Sequence, residues 1–559
     1  MAVTLASDTC TNNNAVLNPL WTDCTLSKGN LKAVATGNAY QWAISTIAIP
    51  TTGKWVFEAQ SSNIDGSSRF GYVGICQMGN HNVDSGTNYI FGMNVGNGEV
   101  VKNNGVQVDI GAGPTTSLMR IEYDADNDTI KIFDDNSEVF PASTGVTNVT
   151  GLGPTATGPQ SLHFYVAPYA SGTDFTVNFG ASSFTNDPTS GFLGLNTTNL
   201  YTNSAPTIGD GSAFFQASIW SGNSSSQTVS QSGNSTFTPD MAIIKSRSFG
   251  NGANIFDAVR GGSKGLATFD NGAEDTNSDG VTFGSGSIAF TGAGNTGDIN
   301  NSGRTYVGWQ WKAGASNTAV SASGSGDDAI CACTHRANTD SGISIIKYTG
   351  RNGDISNSQH SLVTHGLGAA PKMVMGKNLS GSTDWFVMSI PQGNDAHMHL
   401  NTTATNVGSD FVGTFTDSTS THFTVGNDDL VNKNGDEFIA YAFLEIPGFS
   451  KFGLYEGNNA ADGPYVHLGF KPAFLMIKNM DAAGGWPMYD NARDPTNPAD
   501  KNVNIDQAGA EYSPDYEIDL LSNGFKLRDD QTYVNDSNTY FFMAFAEHPF
   551  AGSAPATAR

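Results

Sequence analysis

The chain has 559 residues and a formal net charge of −25, from 27 basic and 52 acidic side chains. Without a Lys/Arg cluster to displace counterions, or an apolar run near the roughly 20 residues that cross a bilayer, the sequence argues against nucleic-acid binding and membrane insertion. Glycine at 65 copies, amid abundant Asn, Ser and Thr, disfavours long helices and favours short strands joined by polar turns, while 10% aromatic residues give enough apolar bulk to exclude disorder.

Residues 1–29 form an N-terminal segment without the basic and apolar regions of a Sec signal. Strands are then predicted at 54–59, 70–75, 89–92, 118–123, 129–133, 162–167 and 175–180. A β-sandwich is the natural way to bury them, placed at 30–190. The turn Asp124-Ala125-Asp126-Asn127-Asp128 lacks the Gly and Glu of an EF-hand loop and reads as a hairpin turn. The five cysteines, Cys10, Cys24, Cys76, Cys331 and Cys333, are too sparse for a disulfide scaffold. Cys331-Ala332-Cys333 with His335 has no second ligand pair at a suitable spacing, so neither a metal nor a cofactor is expected.

Three later segments repeat one order of features, with a period of roughly 100 to 130 residues. Each opens on a strand ending near Trp or Tyr and Gly (218–222, 346–350, 453–457). A proline then precedes an apolar strand closed by Lys245, Lys377 or Lys478. An aromatic strand follows (255–257, 385–388, 486–490), then a Phe-centred strand (281–284, 423–426, 525–527). An aromatic strand closes each unit (305–311, 438–445, 540–547). The expected fold class is all-β: an N-terminal sandwich, then three tandem sandwich-type units at 191–315, 342–448 and 449–551. An Ala/Ser/Gly/Thr-rich linker at 316–341 and a tail at 552–559 complete the chain.

Catalytic motifs read as structural. Glu445 and Glu547 end equivalent closing strands, and such repetition points to a shared structural task. Gly261-Gly262-Ser263-Lys264-Gly265 is followed by too short a segment for the helix of a nucleophile elbow. His365 and His467 occupy matching turn positions before the proline strands and read as turn caps. No catalytic residue is assigned. Because sugars stack on aromatic rings while loop Asn, Asp and Thr hold their hydroxyls, the candidate ligand-binding residues are Trp220, Trp385, Trp486, Tyr72 and Tyr89. Loops near 60–70, 78–88 and 134–160 complete that list.

Trp55-Val56-Phe57-Glu58, Tyr72-Val73-Gly74-Ile75, the Asp-rich turn before Ile130-Lys131-Ile132-Phe133, and Val177-Asn178-Phe179-Gly180 together resemble a SPRY domain, a lectin-like sandwich. With the connector Leu195-Asn196-Thr197-Thr198-Asn199-Leu200, the endings Trp309-Gln310-Trp311-Lys312-Ala313-Gly314 and Phe545-Ala546-Glu547-His548-Pro549-Phe550 resemble a family of virion structural proteins of marine tailed phages. The resemblance runs over residues 30–551. It implies a virion-exterior protein without enzymatic activity, a tail fibre or appendage that binds host-surface glycans. Its partners would be other virion proteins and, as fibres are often trimeric, further copies of itself. A capsid decoration or head-fibre protein, a virion glycan depolymerase and a bacterial adhesin are the alternatives.

Overall fold

The computed structural model describes residues 13–62, 71–77, 90–103, 105–109, 118–140, 161–203, 208–274, 280–291, 299–326, 328–351, 360–389, 396–405, 407–408, 415–513 and 516–549. The chain is all-β and divides into two compact units, Met1–Ala205 and Pro206–Arg559.

The first unit is a sandwich of two seven-stranded sheets. One sheet is centred on Leu162–Pro168 and Gly71–Gln77, the other on Leu118–Asp124 and Lys54–Gln60. Alternation along the strand directs Phe57 into the space between the sheets, where its ring meets Phe164 of the opposite sheet at 4.5 Å. Glu58 points the other way and is buried, accepting hydrogen bonds from the backbone N–H groups of Thr185 and Asn186. Glu122 does the same for Thr189 and pairs with Arg120 at 3.1 Å. These carboxylates pin residues 185–189 over the outer face of their sheet.

The unit's boundaries differ from those expected. Residues 17–27 supply strands Leu17–Thr22 and Thr25–Ser27 to the two sheets, so the sandwich begins before residue 30. It extends past residue 190, because Leu193 exchanges backbone hydrogen bonds with Lys54 and Val56.

The second unit contains the three repeats. In the first, strands Phe215–Ser221, Thr305–Trp311, Met241–Ser246, Asn254–Asp257 and Leu266–Ala267 lie side by side in that order. The third has the same order: Ser450–Glu456, Thr539–Pro549, Phe470–Asn479, Pro487–Asp490 and Val503–Asn504. In the second, Ile343–Thr349, Glu437–Phe443, Met373–Asn378, Phe386–Ser389 and Ala396–His399 form the same core of an eight-stranded sheet. A three-stranded sheet accompanies each. The closing strand of every repeat is thus paired on both edges and buried along most of its length.

Two sequence-based expectations are corrected. Residues 316–341 are not a linker: Thr318–Val320 and Cys333–Asn338 extend the edge of the second repeat's sheet, and Ala329–Ile330 joins its smaller sheet. Small polar residues suit a sheet edge as well as a tether, and burial of Cys331 and Cys333 decides for the sheet. The Phe-centred strand of the first repeat was also misaligned. Val229 faces Ile288 where Val363 faces Phe423 and Val466 faces Phe525, so Ile288, not Phe283, is the counterpart.

Nor are the repeats separate bodies. Trp311, Phe443 and Phe545 occupy one register position on the three closing strands. The Phe545 ring lies 5.7 Å from Trp311 and 6.0 Å from Phe443, and a single hydrophobic core runs through all three repeats.

Candidate functional site

The junctions between repeats follow a cyclic rule. Trp385 of the second repeat donates its indole N–H to the carbonyl of Ala267 in the first, and Trp486 of the third donates to His399 in the second. Thr268 of the first donates to Ile505 in the third. Lys245, Lys377 and Lys478, at one register position, are all buried at these seams. Lys245 donates to the carbonyls of Asn251 and Gln507, Lys377 to those of Thr383 and Asn271, and Lys478 to that of Gly484. Burial pulls each ammonium down to about 8. Two buried pairs, Asp257–Arg260 and Asp490–Arg493, recur in the first and third repeats.

The tryptophans proposed as sugar platforms are therefore core residues. Trp385 and Trp486 are fully buried at the seams, and Trp220 stacks on Tyr306 beneath the first repeat's small sheet. Gly308 makes room for the Trp220 ring, since a Cβ there would lie 2.9 Å from it. Their turn-flanked positions suggested exposure, but the turns fold back onto the neighbouring repeat. Tyr72 is half-buried in a cluster with Tyr40 and Tyr169, two rings not singled out from the sequence. Tyr89, the loops at 78–88 and most of those at 60–70 and 134–160 lie outside the described residues. The well-exposed aromatic rings among the described residues are Phe249, stacked under Arg304, and Tyr512.

The other motifs resolve locally. His365 is buried, accepting from the Leu367 N–H at Nδ1 and contacting the Thr419 carbonyl through Nε2, and burial lowers it to about 4. His467 meets the Tyr465 hydroxyl. Asp124 accepts from Asn127 and pairs with Lys54. Cys331 and Cys333 are buried free thiols, and burial pushes Cys331 up to about 12. Glu445 faces Lys451 and Lys372, and Glu547 pairs with Lys471 at 2.9 Å.

Where the third repeat meets the first, a cleft of about 280 Å³ opens. Phe215, Ala217, Ala473 and Ala492 give it apolar surface, and Ser212, Gln216, Ser232, Asn234, Asn491, Glu547 and His548 give it polar atoms. Asp210 stands behind it, accepting from Asn234 Nδ2 at 3.1 Å and lying 3.4 Å from His548 Nδ1. Sequence reading named only Glu547 here. The missed signal is a departure from the repeat. Gln216 has Ser344 and Lys451 as counterparts, and Ala473 has Lys372 and Asp240. At the other two junctions charged residues stand at these positions or beside them. Asp240 binds Arg336 at 2.7 Å, and Glu445 is flanked by Lys372 and Lys451.

The sequence family described as Domain of unknown function (DUF7483) matches residues 210–549. No curated protein matches the chain. Two solved structures are similar to part of it. The SPRY domain of human HERC1 has 13% identity and a TM-score of 0.24, with 29% of this chain and 96% of that one covered. The TRIM65 PSpry domain has 12% identity and a TM-score of 0.24, with 30% and 92% covered.

Proposed function

We infer that this chain, which belongs to the DUF7483 family, is a structural component of a bacteriophage virion, a tail fibre or tail appendage that engages host-surface glycans. The virion assignment rests on the sequence resemblance stated above. The observation that supports a scaffold role is the closure of three repeats around one apolar core, with their recurrent charged residues engaged in holding it. Lysines at one register position in all three repeats bind carbonyls at the seams, and two Asp–Arg pairs are fully desolvated. Groups committed in this way serve rigidity rather than turnover.

Immunogold labelling of purified particles with antibody to the chain tests the assignment. Label on tails, together with inhibition of phage adsorption by the purified protein, is the expected result. Label on heads moves the protein to a capsid decoration, and unlabelled particles overturn the virion reading. Incubation with host polysaccharide should release no reducing ends. Release abolished by a single carboxylate substitution would make the chain a depolymerase.

A further inference from the structure

We propose that the cleft between the third and first repeats is a binding site for one uncharged sugar ring of a surface polysaccharide. This deepens the glycan-engaging reading and rests on it. The volume, about 280 Å³, is at the small end of ligand pockets and suits a single pyranose rather than an oligosaccharide. Ala492, half-buried, offers a small apolar surface to the C–H face of a ring, backed by the buried Phe215 and Ala473. Gln216, Asn234 and Asn491 carry side-chain amides whose N–H groups hydrogen-bond the Ala217 carbonyl, Asp210 and Glu547, so that their carbonyl oxygens are presented as acceptors for sugar hydroxyls. The Ser212 hydroxyl donates to Asp210 and so offers a ligand an acceptor, and Ser232 adds a second hydroxyl.

Charge selects within the sugars. Glu547 is paired with Lys471, and Asp210 is met by Ser212, Asn234 and His548. Among the described residues lining the cleft no cation is left over to hold a uronate or a sialate, and a carboxylate entering here would face two carboxylates already present. A neutral hexose or N-acetylhexosamine meets no such repulsion on entry.

The broken repeat carries the argument furthest. At this register the other two junctions carry charge, Asp240 with Arg336 at one and Lys372 and Lys451 beside Glu445 at the other. Here the corresponding side chains are Gln216 and Ala473, and an accessible polar cavity remains in their place.

The test is saturation-transfer NMR and calorimetry on the full chain with methyl glycosides of glucose, galactose, mannose and N-acetylglucosamine, and with glucuronate as the acidic comparison. At least one neutral glycoside should bind saturably, and glucuronate should bind at least about tenfold more weakly. Gln216→Lys and Ala473→Lys install the residues that other repeats carry at these positions, and they should abolish binding with the thermal midpoint unchanged. Asn491→Ala, which adds no bulk, should weaken binding about tenfold, as expected for a lost hydrogen bond to the ligand. Absence of saturable binding to every neutral glycoside, or wild-type affinity in both Lys variants, overturns the proposal. Neither outcome bears on immunogold labelling, so the virion reading stands or falls separately.

Discussion

Trp309 Nε1 lies 3.0 Å from Asp490 Oδ2, joining the first repeat's central strand to the third repeat across 181 residues of sequence. The Tyr441 hydroxyl, at the equivalent register, lies 2.8 Å from Asp257 Oδ2 and joins the second repeat to the first. At the third junction the corresponding residues are Met543 and Ser389. Donor and acceptor have changed together, which spares that junction a buried carboxylate facing a thioether.

The two latches should therefore be costly to break from one side. Asp490→Ala leaves the buried Arg493 guanidinium without its main partner, and a loss of about 3–5 kcal/mol is expected in urea unfolding. Tyr441→Phe removes two hydrogen bonds to charged groups, one donated to Asp257 and one accepted from Arg260, and should cost at least about 1.5–3 kcal/mol. Similar midpoints for both variants and the wild type would show that the aromatic core alone fixes the junctions.

Stability should rise with pH just above neutrality. Lys245, Lys377 and Lys478 titrate near 8 when folded and near 10.5 when unfolded, so between those values the unfolded chain holds more protons. Buried thiols act in the opposite direction above about 9, because Cys331 is raised from 9.0 to about 12. The lysine effect is isolated between about pH 8 and 9. The thermal midpoint should climb across that interval, and less steeply in Lys377→Met and Lys478→Met. A flat wild-type profile would mean that the ammonium groups reach water.

On the acid side His365 works the other way. Its folded value near 4, against 6.5, means that the unfolded chain binds a proton first, so stability is lost as pH falls from 6.5 towards 4. Asp506, raised to about 6 by burial, opposes this in part by taking up a proton in the folded state. The signature is therefore a difference. His365→Gln should narrow the gap between midpoints at about pH 7 and about pH 5, and an unchanged gap would place the imidazole in solvent.

Separable domains would survive truncation, and a shared core would not. A fragment of residues 206–448 lacks Phe474, Trp486 and Phe545, and should bind a hydrophobic dye and melt without cooperativity. Residues 1–205 form their own compact unit and should unfold cooperatively in isolation. Calorimetry of both fragments distinguishes the cases.

The succession of strands along each repeat, save the Phe-centred strand of the first, was legible because alternation and turn chemistry are local. The Pro472 strand with its Lys478, and the closing strand at 539–549, stand out in one dimension. What the repeats do to one another was not legible. Trp385 and Trp486 have the composition of a binding surface, and only the seam with the preceding repeat shows that their indoles are consumed there. Residues 316–341 were misread for a related reason, because polar edge strands and tethers share a vocabulary. Gln216 and Ala473 drew no attention as individual residues. They gain meaning only against Lys451 and Lys372 once pairing registers are known.

Because the sequence breaks its own repetition at the seam between the third and first repeats, the proposed sugar site occurs once per molecule, and valence is counted in copies. One shallow contact with one ring holds weakly, whereas linked contacts multiply through their effective concentration. Firm attachment by such a protein is then a property of the array in which its copies are mounted, and an isolated chain should let go quickly.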